Sequence, residues 1–582
     1  MRMNLKIDKF AVTFLSLLLL YQILCTVQGF DLTDEGFLMN AYRWFGEDPN
    51  ACKDSGGYTF SCLLGWYLHG LYPNGGVLMM RLWGVLLVFI TELIVFAFLS
   101  NIIEKRIALC GVLLMGLFIA GNPKPFDYNN LTALFIICSF ILIHKGLLSK
   151  KFFMLFWGGV IIGSSVFLRL PNLLFSLFII APFVLEGEKL HTRFIQSLFI
   201  FIGIIVGVIG IWGLLSIYNA NHLITDYIAF TGNTLNGNST HQFSHMLSKY
   251  ADNYWTSVIM TCVFCSSILL STYISKFNSK IFNIFFFLIT AEFIYYNVYI
   301  GGNIMGQKIL ALYNGIGILG CGYYIYSRRE YRFVSICALI ISFISPLGSD
   351  CGFETTWTGT WLSLPVGLSG IYQMCKNIAF IEIATQCISK KKHSLRMIKL
   401  DKAFGYSLFF IFIPTFVKTE HKPYYDPGNR DKKIYPINNK FTRYIYTEKE
   451  RANIVNPLLR ELPKYVKAGD TFFQHDFSPL LYYMMDAKPF TGVSWSCVLY
   501  GDRFIKEFKQ AEQNMKKPPV VVLQHFWDSN KWSGIIPNYF NEQLNTGFIC
   551  AEHTKIVKKF IRKYKYKIVW TNKYYDIWVS DM

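Results

Sequence analysis

Charge is what this sequence has least of. Only 16% of its 582 residues are Asp, Glu, Lys or Arg, against 53% hydrophobic, and mean hydropathy is +0.33. A soluble globular chain has roughly a quarter of its residues charged, so that class is excluded. Acids are scarcer still, 37 against 56 bases, for a formal net charge of +19. The excess cations sit in short turns between apolar blocks and in the C-terminal region, with no zinc-finger, helix-turn-helix or RNA-binding pattern among them. That excludes a nucleic-acid binder and points to anionic lipid. Metal-site patterns are missing too. Cys262 and Cys265 have C-x-x-C spacing but no second pair, His241 and His245 stand i, i+4 with no acid between, and His69 is isolated. All read as packing or surface residues. Cys52 and Cys62 share one loop and fit a disulfide as well as two thiols. No internal repeat marks an inverted-repeat transporter.

What is present is a series of apolar blocks near the roughly 20 residues that cross about 30 Å of hydrocarbon. They run over 10–29, 77–100, 107–120, 126–143, 152–168, 173–185 and 194–218, then 254–274, 281–300, 309–326, 333–346, 361–384 and 404–417. The expectation is a polytopic α-helical membrane protein of about thirteen spans. Arg2, Lys6 and Lys9 precede the first block, which puts the N-terminus in the cytoplasm. Val27-Gln28-Gly29 is a passable cleavage site, yet the alternation works with that block retained. The basic turns at 104–106, 144–151, 189–193, 276–280, 328–329 and 390–392 then all fall inside. The loops 30–76, 121–125, 219–253 and 348–359, richer in acids, Gly, Asn and aromatics, fall outside. Residues 1–417 form the membrane domain on this reading. From Lys418 the composition turns to mixed charge, with short β-type runs at 471–473 and 520–523, a helical pattern over 502–516, and a strand pair around Asn572-Lys573. Residues 418–582 are expected to form an extracytoplasmic α/β domain.

The chemistry-bearing residues gather at the outer face. Phe30-Asp31-Leu32-Thr33-Asp34-Glu35-Gly36-Phe37 places three acids just past the first block. Phe37, Leu38, Ala41, Trp44 and Phe45 then recur at helical spacing, which predicts an amphipathic helix in the membrane interface with the acids at its N-terminal end. Thr33 or Asp34 would cap such a helix; alternatively, Asp34 is a general base where lipid-linked and soluble substrates meet.

An Asp-Glu pair in that position resembles the GT-C glycosyltransferases of the protein O-mannosyltransferase and aminoarabinose-transferase type. The loop continues through Leu63-Leu64-Gly65-Trp66-Tyr67-Leu68 and Gly75-Gly76 to Met80-Arg81-Leu82, similar to the family's aromatic helix and Arg-containing second span, although the usual Pro pair is absent. Lys124-Pro125-Phe126-Asp127-Tyr128 occupies the place of the family's second outer acid, and Phe167-Leu168-Arg169-Leu170-Pro171 that of its phosphate-binding cation. Read singly, Asp127 caps a helix and Arg169 snorkels to headgroups. Asp350 and Glu354, with Lys308 at the start of a span, face the same side.

The resemblance implies a GT-C fold and a sugar donor carried on a polyprenyl phosphate. Asp34, with Glu35 beside it, would take the proton of an acceptor hydroxyl and Asp127 would orient a substrate. Arg169, with Arg81, Lys308 and Lys124, would stabilise the leaving phosphate. Single displacement inverts the anomeric carbon. No cofactor is required, since fixed cations neutralise the phosphate, and the acids leave room for a divalent ion. The acceptor is a glycan, lipid or protein of the cell envelope, and the location the inner membrane. The alternative is a transporter or flippase of lipid-linked sugars, which would place ionisable residues at mid-span.

Overall fold

The computed structural model describes residues 8–121, 125–185, 188–235, 243–274, 304–348, 356–385, 390–421, 426, 428–475, 477–496, 502–524, 549–572 and 574–582. The chain is mostly helical. Helices α1 (Lys9–Cys25), α2 (Asp34–Trp44), α3 (Thr59–Leu71), α4 (Gly76–Leu99), α5 (Lys105–Ala120), α6 (Tyr128–Ser149) and α7 (Phe152–Ser165) come first. A 3-10 stretch, Leu170–Ile180, leads into the single turn α8 (Ala181–Val184). Then follow α9 (Leu190–Ile217), α10 (Asn221–Leu235), α11 (Phe243–Ile274), α12 (Ile304–Ser327), α13 (Arg329–Ile344), α14 (Trp357–Thr385) and α15 (Lys390–His421).

Four segments among the described residues are long and apolar enough to cross a membrane: Pro73–Leu99, Tyr128–Ser149, Leu190–Ile217 and Lys308–Ser327. Lys9–Cys25, Phe152–Ser165 and Leu170–Val184 are apolar but shorter. The expected span at 281–300 lies outside the described residues. The block expected at 173–185 is no regular span, because Pro171 opens it and a 3-10 turn carries most of it. On α9 the apolar residues Phe201, Ile202, Ile205 and Ile209 stay exposed, a face suited to lipid. Its other face meets α7 backbone to backbone. Gly159 and Gly163 lie against the carbonyls of Ile200 and Ile204, and Gly203 and Gly207 against those of Phe156 and Val160. Two facing pairs of glycines four apart permit that approach, and any Cβ there would collide with main chain.

The C-terminal region holds a five-stranded mixed sheet, ordered β4-β3-β5-β7-β6, from β3 (Thr471–His475), β4 (Lys488–Pro489), β5 (Val520–Gln524), β6 (Tyr566–Thr571) and β7 (Tyr575–Ser580). Strands β1 (Tyr435–Pro436) and β2 (Tyr446–Thr447) pair separately. β3 runs parallel to β4 and β5, while β7 pairs antiparallel with β5 and β6, so the expected strand pair at the tail is a β6–β7 hairpin. Its helices are α16 (Lys449–Glu461), α17 (Leu480–Met485), α18 (Asp502–Asn514) and α19 (Ile549–Lys563).

Main-chain and charged contacts fasten this region to the bundle. Gly29 N donates to Tyr446 O at 2.9 Å and Tyr446 N to Val27 O at 2.8 Å. The buried Arg430 guanidinium donates to the carbonyls of Thr419, Cys25, Ala120 and Gly121, at or beside the C-terminal ends of α15, α1 and α5. Three sets of end carbonyls, each the negative end of a helix dipole, converge on one cation.

Candidate active site

The first outer loop is built around α2. That helix forms where its periodicity predicts it, but it does not lie in the membrane interface. Gly36, Phe37, Leu38, Met39, Asn40, Ala41, Tyr42 and Trp44 are all buried, because the rest of the loop and α17 of the C-terminal region pack around the helix: Phe37 meets Tyr58, Tyr42 lies against Gly65 of α3, and Gly36 against Leu480 of α17. Leu480 N donates to Leu32 O at 3.0 Å, and Gly36 lies against the Leu480 backbone, where no Cβ fits. Arg43 Nε pairs with Asp486 at 2.7 Å and Lys53 Nζ with Glu507 at 2.5 Å. Asp54, whose pKa burial pushes up, accepts from Ser494 N, Ser494 Oγ and Trp495 N.

The N-terminal end of α2 is capped by Asp31. Thr33 makes no side-chain cap bond. Asp31 Oδ1 accepts from Thr33 N and Oγ1 at 2.8 and 2.6 Å, and Oδ2 from Glu35 N at 3.0 Å. Burial, and then the neighbouring Asp34 and Glu35, push its pKa up to about 7. Asp34 is half-buried at the first turn. Glu35 points instead into a buried ion pair with Arg81: Nε to Oε1 at 2.7 Å and Nη2 to Oε2 at 2.8 Å. Arg81 Nη1 also donates to Thr26 O and Gln28 O, and Nη2 to Gly29 O. All five of its N–H groups have protein acceptors, so it ties α4 to the link between α1 and α2.

Asp127 and Arg169 lie near one another elsewhere in the loop cluster. Asp127 caps α6: Oδ1 accepts from Asn129 N at 2.6 Å and Asn130 N at 2.9 Å, and Oδ2 from Asn130 Nδ2 at 2.9 Å. Arg169 is buried and donates to Ser345 O at 2.9 Å and Leu347 O at 3.2 Å, just past the end of α13. Tyr128, Tyr227, Tyr250 and Asp127 stand near that guanidinium. Tyr58 stacks on Tyr128 with centroids 4.7 Å apart, and its edge meets Phe37, three residues along α2 from Asp34, at 5.3 Å. Phe60 N donates to Phe167 O at 3.0 Å, and Asn172 Nδ2 to Thr132 Oγ1 at 3.1 Å. These contacts join the loop, the start of α6 and the Arg169 turn into one aromatic cluster.

Lys308 is half-buried near the start of α12, and Lys124, Asp350 and Glu354 lie outside the described residues, as does His241. The side chain of His245 is likewise not described. His69 bonds Tyr483 Oη at 3.0 Å in a buried contact, a packing role as expected, and burial lowers its pKa to about 4. Cys52 and Cys62 are buried free thiols. Among the described residues no group of three His, Cys, Asp or Glu is placed to hold a metal ion.

Two features escaped sequence reading. The aromatic pair Tyr58 and Tyr128 carried no motif. Glu92, inside α4, is fully buried and accepts from Gln22 Nε2 at 2.6 Å, while Glu92 Oε2 and Gln22 Oε1 have no partner among the described residues. A carboxyl so deep in an apolar helix was visible as one acid in the block 77–100.

No protein-family model matches the chain, and no curated protein matches it. Among solved structures it is similar to the archaeal oligosaccharyltransferase AglB from Archaeoglobus fulgidus, in complex with an inhibitory peptide and a dolichol-phosphate. Identity is 11%, the match covers 88% of this chain and 69% of that one, and the TM-score is 0.42. That score is below the level at which two chains share a fold, so the functional reading rests on this chain's own residues.

Proposed function

We propose that the chain is a membrane glycosyltransferase that moves a sugar from a polyprenyl-phosphate donor to an acceptor hydroxyl on the extracytoplasmic face. One observation carries the reading. Arg169 uses two of its five N–H groups on main-chain carbonyls, so the others remain for a ligand among the described residues, beside Asp127 and a stacked tyrosine pair. A guanidinium with spare donors suits a phosphate, and tyrosine faces suit a sugar ring.

In this mechanism Asp34 takes the proton from the acceptor hydroxyl as its oxygen attacks the anomeric carbon. The bond to the lipid phosphate breaks, and Arg169 stabilises the charge that grows there, with Lys308 and Lys124 as further cations on the donor side. The configuration inverts, as in any single displacement. Asp31, Glu35 and Arg81 hold the loop that presents Asp34, and Asp127 fixes the turn that brings Tyr128 to Arg169. The acceptor is a glycan, lipid or protein of the cell envelope. The N-terminus is cytoplasmic and the C-terminal unit faces outward, in the inner membrane. The donor phosphate needs no metal on this account, and a divalent ion at the acids is compatible with it.

The test is transfer from labelled polyprenyl-phosphate donors by membranes holding wild type or Asp34→Asn. Transfer by wild type and its loss in the folded variant support the reading, whereas equal transfer removes Asp34 from the mechanism. A flippase of lipid-linked sugars is the second reading, favoured by the buried Glu92–Gln22 pair inside the membrane helices. Lipid-linked sugar crossing reconstituted vesicles, abolished by Glu92→Gln, with no transfer to any acceptor, would establish that reading instead.

A further inference from the structure

Helices α18 and α19 form a layer on one face of the C-terminal sheet. They cover the face that carries Phe473 and Val521, whereas Phe472, Val522 and Ile577 on the other face join the core shared with α2. Phe504 stacks on His553 at 3.9 Å, Phe508 meets Phe560 at 5.2 Å, and Lys563 pairs with Glu512 at 2.7 Å. These contacts advance in the same direction along both helices, so the two lie side by side and parallel.

The outer surface of this layer is cationic. On α19, His553, Val557, Phe560 and Ile561 are buried, while Lys555, Lys558, Lys559 and Arg562 are exposed at i, i+3, i+4 and i+7. On α18, Phe504 and Phe508 are buried and Lys506 and Lys509 exposed. Between residues 549 and 571 there are seven Lys or Arg and one acid, Glu552. The nearby acids are engaged: Glu507 by Lys53 and Glu512 by Lys563. None of the six exposed cations forms an ion pair among the described residues. Like charges three and four apart on a helix repel, so the stripe raises the energy of its own helix until something neutralises it. The α19 stripe is about 10 Å long, a length matched by two or three units of an extended polymer.

We infer that the α18–α19 layer docks a linear polyanion, a polysaccharide carrying regularly spaced carboxylates or phosphates. Charge complementarity sets the partner's sign, and position sets its class. The sheet separates the core of this layer from the core shared with α2, and Glu507 of α18 reaches Lys53 of the first outer loop. The choice of a polysaccharide over a nucleic acid rests on the outward placement of this unit in the proposed function. The surface would hold an anionic acceptor strand near the transfer site.

The experiment uses the full chain in nanodiscs of neutral phosphatidylcholine and follows a fluorescent polyuronate by anisotropy. Binding should weaken about tenfold or more between about 50 and about 200 mM salt. The combined substitutions Lys555→Glu, Lys558→Glu, Lys559→Glu and Arg562→Glu should weaken it at least about tenfold at low salt. Reversal of the exposed Lys105 and Arg106, on the bundle, should leave it unchanged. If the reversed stripe unfolds the unit, the same positions changed to Gln decide, with a smaller loss expected. No binding by wild type, undiminished binding by the folded stripe variant, or tighter binding to anionic vesicles or duplex DNA would overturn the inference. Transfer to a short uncharged acceptor, read on the same samples, separates the two claims. Polyanion binding without transfer keeps this one and removes the enzyme, and transfer without binding does the reverse.

Discussion

Arg81 and Arg169 look alike in the sequence, each an isolated cation near the outer end of an apolar block. Their surroundings differ. Arg81 has every N–H group bound by its own chain and faces a carboxylate in a two-pronged pair. Arg169 has two carbonyls and three tyrosines nearby, with donors left over among the described residues. A cation completed by its own fold is a fastening, and one left incomplete beside aromatic faces is suited to a ligand. Glu35 belongs with Arg81 as a fastening of the same kind.

Arg81→Ala leaves Glu35 buried and unpaired, and should cost about 3–5 kcal/mol of stability, seen as loss of monodisperse protein and a much lower Tm. Gly36→Ala, which drives a methyl into the Leu480 backbone, should cost about 1–3 kcal/mol and loosen the C-terminal unit, read by limited proteolysis. Asp127→Ala should cost about 1 kcal/mol as a lost helix cap, whereas Asp127→Asn keeps the cap and Tm. If Asp127→Asn also keeps full transfer, Asp127 is a cap alone. The pH dependence of stability falls on Asp31. Its folded pKa, near 7, lies above the usual carboxylate value, so the stability linked to its proton is complete below about pH 4 and is lost as pH rises through about 7. The Tm of wild type should therefore fall relative to Asp31→Asn between pH 5 and pH 8.

Sequence periodicity placed the helices well because long apolar runs leave few alternatives: α4, α6, α9 and α12 begin and end within six residues of their expected bounds. It failed where a partner distant in the chain decides the outcome. The faces of α2 read as interfacial because nothing in its own pattern announces that α17, more than 400 residues later, covers it. Arg430 is one of many charges in the mixed-charge stretch after Lys418, although it gathers three helix ends. Within the site, acids and cations were legible as residue types at one face, but which of them pair was not. The competition of Asp34 and Glu35 for Arg81 is settled by geometry that spacing does not encode.

On the proposed function, Arg169 serves a ligand while Arg81 serves the fold. The most direct test measures sugar transfer and Tm together for Arg169→Lys and Arg81→Lys, each keeping its charge but losing the two-pronged fork. The account predicts that Arg169→Lys melts close to wild type and loses about ten- to a hundredfold in transfer, while Arg81→Lys loses Tm first. Full transfer by Arg169→Lys, or a collapse of its Tm to match that of Arg81→Lys, would contradict it.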